Sequence, residues 1–408
     1  MARRGVSGSA VQAKPRKRRL TLGRAALWAA FTIVVLALLF YGIGGWHFSN
    51  RIRNDVLTVT HEDPEYDLET IALDGSQVTL RGDDDHLDDP GIFGLEWNGG
   101  YAQVGDVLET EEPEGDVLTV TRRYLPGTTE LHTGTDVRLD SYAYGGDPTT
   151  AFNYPFTEVT YESPLGDMGA WYVRGSTDTW MIIVHGKGGD RAEGLRLLPL
   201  AWDRGYHVLL IDYRNDEDEP PDPSGWYQYG LTEWEDVNGA ARYAREQGAE
   251  NLVMVGYSMG GGAVVNFVAR SPLRNQVSAT ILDAPLLDLE ETVDYNAADT
   301  SLGIGPWNVP SSLTWVAKTI SGWRYDLDWD EFDYIETLWR DLHAPMLIFH
   351  GTADTTVPLA TSIAMERKRP DITTLITEEG VDHVLSWNAD PDAYEAAVND
   401  FLDQQAAP

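Results

Sequence analysis

The run Val253-Met254-Val255-Gly256-Tyr257-Ser258-Met259-Gly260-Gly261-Gly262 constrains this chain more than any other stretch. Apolar residues from Leu252 to Val255 read as a buried strand, and Ala263 to Arg270 suits a helix. A chain that turns from strand to helix over Gly-x-Ser-x-Gly holds its corner residue in strained backbone geometry. Gly256 and Gly260 leave room for neighbouring backbone, and the Ser258 hydroxyl stands exposed at the tip. A glycine-rich turn with an incidental serine is the bland alternative. The strand before and the helix after argue against it.

Serine is a weak nucleophile at its ordinary pKa, so a base and an orienting acid are expected. Ala344 to Pro358 reads as a buried strand opening into a loop that carries Asp354. A second apolar run, Thr373 to Thr377, precedes a loop with His383, and a final helix follows over Ala393 to Gln405. The order Ser258, Asp354, His383 suits a nucleophile, an acid and a base, each at the end of a strand. His350 precedes a glycine inside the acid loop, where a backbone-bonding role is expected. Asp382 is expected to be a solvated loop residue.

A tetrahedral intermediate needs two backbone N–H donors. One expected donor is Met259, next to the nucleophile. The other is Lys187, in the loop His185-Gly186-Lys187-Gly188-Gly189-Asp190 that follows the apolar strand Trp180 to Val184. The Lys187 side chain is expected to be solvated rather than an anion hook, and His185 to brace its loop.

These motifs resemble those of the α/β-hydrolase superfamily, in its bacterial esterase and serine-aminopeptidase-like branches. The shared signatures are the His-Gly-x-Gly-Gly loop, the Gly-x-Ser-x-Gly-Gly corner and His-Gly-x-x-Asp-x-x-Val-Pro around the acid. The resemblance covers residues 156–405. It implies an α/β fold with an eight-stranded, mostly parallel sheet, no cofactor and no metal. It leaves the substrate open, because this fold hosts many chemistries.

The intervening sequence suits such a sheet. Ala192 to Arg204 reads as an amphipathic helix, Tyr206 to Arg214 as a strand and Val277 to Leu282 as another. Thr232 to Gln247 reads as a helix capped by Thr232, with Glu235 at the capping-box position. Residues 288–340 break the alternation with tryptophans 307, 315, 323, 329 and 339, where the resembling family inserts a lid. An aromatic cap over an acyl pocket and a plain packed insertion are equally open.

The other end makes a second claim. Ala25 to Trp46 is 22 residues without a charge, long enough to cross about 30 Å of hydrocarbon as a helix. Eight Lys or Arg precede it, including Lys14, Arg16, Lys17, Arg18 and Arg19, and no acid does. The positive-inside rule puts residues 1–24 in the cytoplasm as a basic tail and the catalytic part outside. The run is longer than a signal-peptide core of about 7–15 residues and lacks a clean Ala-x-Ala site, so an uncleaved anchor is expected. With Ser258 over 200 residues away, removing residues 1–46 is expected to give a soluble enzyme with unchanged specificity on water-soluble esters.

Composition limits the partners. Residues 54–408 hold all 65 acids against 20 bases, a net −45, which disfavours nucleic acid and anionic substrates. With no cysteine, disulfides and thiolate metal sites are excluded. The clusters Asp83–Asp89 and Asp216–Glu219 lack calcium-loop spacing and are expected to be solvated.

Residues 54–150 read as a small all-β accessory module. Thr70 to Leu80 is two short strands around Asp74-Gly75, Leu95 to Val104 two more around Asn98-Gly99, and Val117 to Tyr124 and Val137 to Tyr144 alternate like further strands. Its aromatics are expected in its core rather than on a carbohydrate-binding face.

Together these readings predict a membrane-anchored serine hydrolase cleaving a carboxylic ester or related acyl bond of a small or lipid-like substrate. A peptidase or acyltransferase on the same residues is the alternative. A catalytically silent surface binding protein is the third reading, disfavoured by the complete residue set. Nothing in the sequence speaks to the oligomeric state.

Overall fold

In a computed structural model of the chain, the residues described are 22–406 apart from 62, 63, 112, 114 and 304. The basic tail therefore lies outside the described residues except for its last positions.

A helix runs from Leu22 to Arg51 and widens into a π-helical segment, Ile52–Leu57. No glycine or proline interrupts residues 46–57, so the helix has no signal to stop where its apolar span ends. Six strands follow: β1 Leu68–Leu73, β2 Gln77–Gly82, β3 Phe93–Trp97, β4 Gly100–Thr110, β5 Leu118–Leu125 and β6 Asp136–Asp140. They close into an antiparallel barrel in the order β1-β2-β5-β4-β3-β6. Closure leaves no sheet edge to protect. The Asn98-Gly99 pair forms a two-residue turn between β3 and β4, with Trp97 opposite Gly100. Trp97 and Tyr124 are buried in the barrel core, so these aromatics pack.

The second sheet has eight strands: β7 Phe156–Ser163, β8 Gly166–Val173, β9 Thr179–Val184, β10 His207–Ile211, β11 Asn251–Tyr257, β12 Val277–Asp283, β13 Met346–Gly351 and β14 Thr373–Glu378. Their order is β14-β13-β12-β11-β9-β10-β8-β7, and β8 alone runs against its neighbours. The central strands are apolar along their whole length, as strands covered on both faces must be. Two buried clusters, one on each face, form the core.

Two expected helices differ. The segment after Asp190 is a 3₁₀ stretch, Arg191–Leu197, and becomes α-helical only over Leu198–Asp203. Pro199 lacks the N–H a continuous helix needs, so a new helix begins there. The helix expected from Thr232 spans Trp234–Glu246 without a Thr232 cap. The Thr232 hydroxyl donates to Asp222 instead, and buried Glu233 accepts the N–H groups of Gln228 and Gly230. Residues 288–340 form helices Leu289–Asp299, Ser311–Tyr325 and Tyr334–Thr337 with a 3₁₀ turn at Trp329–Phe332.

Candidate active site

Ser258 sits between β11 and the helix Met259–Arg270 at φ 47°, ψ −116°. A serine adopts this conformation only where surrounding structure enforces it. Here Ser258 N donates to the Asp283 carbonyl at 3.0 Å, and the Ser258 carbonyl accepts from Gly261 and Leu286. A Cβ on Gly256 would meet the Gly260 carbonyl at 2.7 Å, and one on Gly260 would strike the His185 carbonyl. Both glycines are therefore needed for close passage.

The loops after β13 and β14 bring the other two residues in. His383 Nε2 lies 2.9 Å from Ser258 Oγ, and His383 Nδ1 lies 2.8 Å from Asp354 Oδ2. Asp354 Oδ1 accepts the N–H groups of Thr356 and Val357 at 2.8 and 2.7 Å. Burial alone would raise this carboxyl. Hydrogen bonds from His350 and His383, the His383 charge and the Val357 N–H outweigh burial and hold it well below the usual carboxylate range. Such a carboxylate stays charged and can orient an imidazole.

His350 is fully buried, bonded to the Val357 carbonyl at 3.0 Å and to Ser362 Oγ at 2.8 Å, and 3.2 Å from Asp354 Oδ2. It braces the acid at the same carboxylate oxygen that His383 meets. Asp382 is not merely solvated: its Oδ1 accepts from Thr355 N and His383 N, both at 2.7 Å, tying the two loops together.

Gly186 and Lys187 lie beside Ser258, a Cβ on Gly186 falling 3.4 Å from the Ser258 Cβ. Met259 is the first residue of the following helix, where the backbone N–H has no partner within the helix. The Lys187 side chain is not solvated as expected. Its Nζ donates to the Asp55 carbonyl at 2.7 Å and stands over the Tyr227 ring. The π-helical segment just past the long apolar helix supplies that acceptor, which spacing along the sequence could not reveal.

His185 braces its loop as expected, stacked on Tyr213 and 2.8 Å from buried Asp216. Burial would lower its pKa, but the Asp216 charge and hydrogen bond raise it to about 9. Asp216 is thus an ion-pair partner and not a solvated loop acid. Among the described residues, His185, Asp212 and Asp216 form a group with metal-ligand spacing. Arg191 already engages Asp212, and the Tyr213 N–H engages Asp216.

Sequence reasoning missed a buried network behind the site. Glu193 Oε2 accepts the Gly186 N–H at 2.7 Å, and Glu193 Oε1 meets Arg196 Nη2 at 3.2 Å. Arg196 Nη1 donates to the Val384 carbonyl at 2.9 Å and to Asn388 Oδ1 at 3.0 Å. Val384 directly follows His383 and holds φ 56°, a left-handed value that costs a β-branched residue dearly. Asn388 Nδ2 then reaches the barrel, donating to the Ile92 and Ser141 carbonyls. Leu385 completes the barrel core. The available signal was a Glu–Arg pair, three residues apart, with Glu193 just before and Arg196 inside the otherwise apolar run Gly194 to Leu198.

A cavity of about 590 Å³ opens over Ser258 and His383. Its walls include Leu286 from the loop after β12, Leu289 and Val293 from the insertion, and Phe48, Ile52 and Val56 from the N-terminal helical segment. The insertion therefore does roof the site, although Trp307, Trp315 and Trp323 face outward.

The model of the alpha/beta hydrolase family matches residues 181–397, and a model described as a domain of unknown function matches residues 69–140. Human Protein ABHD12B is 29% identical over 218 residues, covering 48% of this chain and 52% of that protein. This chain thus spans about half the length of that relative. An uncharacterized protein of Bacillus subtilis strain 168, YqkD, is 21% identical over 229 residues, covering 56% of this chain and 72% of its own. The solved Pyrococcus furiosus esterase Pf2001 superposes with a TM-score of 0.51 at 15% identity, over 64% of this chain and 96% of that one, a likeness of fold.

Proposed function

The chain belongs to the alpha/beta hydrolase family and carries its esterase-like fold, and from that premise we propose a membrane-anchored serine hydrolase that cleaves carboxylic esters or related acyl bonds. The observation that carries the reading is the unbroken line Ser258 Oγ, His383 and Asp354, with contacts of 2.9 and 2.8 Å. Asp354, charged and acceptor-only, keeps the proton of His383 on Nδ1. Nε2 is then free to take the Ser258 proton as Oγ attacks the acyl carbon. The oxyanion forms between the N–H groups of Lys187 and Met259. His383 returns its proton to the leaving alcohol, and an acyl-Ser258 ester remains. Water, deprotonated by the same imidazole, cleaves that ester and restores the serine.

The apolar helix supports anchoring, being long and apolar enough to cross a membrane. The eight basic residues before its span and the acids confined after it favour a cytoplasmic N-terminus and an external catalytic part. A peptidase or acyltransferase would use the same residues. The apolar lining of the cavity favours an acyl chain over a charged peptide terminus.

A fluorophosphonate probe should label the full-length protein, and Ser258→Ala should abolish the label. Among p-nitrophenyl acyl esters and aminoacyl-p-nitroanilides, the esters should turn over. Preference for the anilides would replace esterase with peptidase, and no label at all would favour a silent binding protein.

A further inference from the structure

Along the anchor helix, Leu27, Phe31 and Leu38 are each at least 60% exposed, and the fold covers none of them. From residue 41 onward this changes. The insertion helix Ser311–Tyr325 comes alongside and runs parallel to the anchor. Tyr41 Oη meets Ser312 Oγ at 2.9 Å, Gly44 packs against Leu313, Gly45 against Val316 and Ile320, and Ser321 Oγ bonds Ser49 Oγ at 3.0 Å. A Cβ on Gly45 would stand 2.6 Å from Val316 Cγ1, so the two glycines set the close approach. Side-by-side packing puts the first turns of the insertion helix level with residues 41–46, the outer end of the apolar span.

The outward face of that helix is Ser311, Trp315, Thr319 and Trp323, all exposed, four residues apart and uncharged. Trp315 is 64% exposed and Trp323 80%, with Trp307 at 65% just upstream. A chain of net charge −35 here presents three bare indoles on a strip without charge. Indole has an apolar body and a single N–H, and it collects at the headgroup level of bilayers. The inward face of the same helix gives Thr314 and Ala317 to the cavity, next to Phe48 and Ile52 of the anchor. One anchor face, through Gly45, Phe48, Ile52 and Val56, thus runs from the span to the space above Ser258.

We propose that the helix Ser311–Tyr325 stands beside the anchor in the outer interface of the bilayer, with Trp315 at the edge of the hydrocarbon and Trp323 about 12 Å further out among the headgroups, and that the site takes ester lipids whose acyl chain enters from the membrane along the seam between anchor and insertion. The proposal rests on the anchored serine-esterase reading above. The tryptophans hold the roof at the interface and do not touch substrate.

The absence of native cysteine makes a clean test available. Full-length Trp315→Cys and Trp323→Cys, each carrying an NBD label, are placed in phosphatidylcholine vesicles containing lipids with a nitroxide near the headgroup. Both labels should be quenched, and Leu108→Cys on the barrel should not. Unquenched labels at both positions overturn the interfacial placement. In like vesicles holding a monoacylglycerol, the Trp315→Ser/Trp323→Ser double variant should hydrolyse that lipid about tenfold more slowly and keep its turnover of p-nitrophenyl acetate within about twofold. An equal fall on both esters, or no fall on either, overturns the route of entry. Unmodified protein that cleaves p-nitrophenyl acetate and spares the vesicle ester overturns this inference and leaves the esterase reading standing. Protein that cleaves neither removes that reading as well.

Discussion

At the scale of single residues, the hydrogen-bonded line of Ser258, His383 and Asp354 is proposed to act as one unit. Ser258→Ala and His383→Ala should each reduce kcat by on the order of 10⁶-fold, and the double variant should lose little more. Asp354→Asn should lose less, on the order of 10⁴-fold, since it mis-sets the imidazole without removing nucleophile or base. Steady-state kinetics on a p-nitrophenyl ester, with circular dichroism to check folding, decides the matter. His350 cannot substitute, because its ring is committed to Val357 and Ser362. A second expectation concerns pH. His185 is raised to about 9 in the folded chain, so its pairing with Asp216 stabilises fully below the unfolded value near 6.5 and is lost as pH rises through about 9. Asp212 and Asp283, which burial pushes up to about 7, act in the same direction. Thermal stability should therefore fall from pH 6.5 to 9, by a His185 share on the order of 1–3 kcal/mol. His185→Gln should flatten that fall in a melting-temperature series; an unchanged slope would refute the assignment. The line of Ser258, Asp354 and His383 was readable because each residue sits in its own strand-end motif. The roles of Glu193, Arg196 and Asp382 were not, because their partners lie on distant loops.

Among the elements, the barrel and the histidine loop are joined through Asn388. Its amide donates to Ile92 and Ser141 and its oxygen accepts from Arg196, which in turn restrains the strained Val384 beside His383. Asn388→Ala leaves those buried partners unmatched, at a cost of about 1–3 kcal/mol for each group that water cannot reach. The variant should melt earlier and show a lower kcat at nearly unchanged KM, since the displaced part is the base and not the acyl cavity. A KM effect without a kcat effect would assign Asn388 to binding instead. The alternation of strands and helices could be read along the sequence because β9, β11 and β13 are continuous apolar runs. The barrel strands also showed, through their turn residues. That the barrel closes, and that Leu385 fills its core, depends on pairing across distant segments, which local pattern does not encode.

At the scale of the whole molecule, the N-terminal apolar helix is packed into the hydrolase fold. Sequence separation suggested that residues 1–46 could be removed with specificity on water-soluble esters unchanged. Yet Gly44 and Gly45 seat the insertion helix, Trp46 stacks under Arg324 at 3.9 Å, and Phe48 and Ile52 wall the cavity. A chain starting at residue 47 should keep turnover of p-nitrophenyl acetate while its KM for long-chain esters rises about tenfold, as the roof loses its support. A chain starting at residue 58 should lose activity on both. Equal KM values for the full chain and the residue-47 start would restore the separable anchor. The length and charge of the span were plain in the sequence; its use as a wall was not, because the helix simply continues past its last apolar residue. Many surface proteins are shed by a cut in the stalk and go on working in the medium. With the proposed anchoring, residues 48–57 are at once stalk and cavity wall, so a cut there should release the protein and disable it in one event.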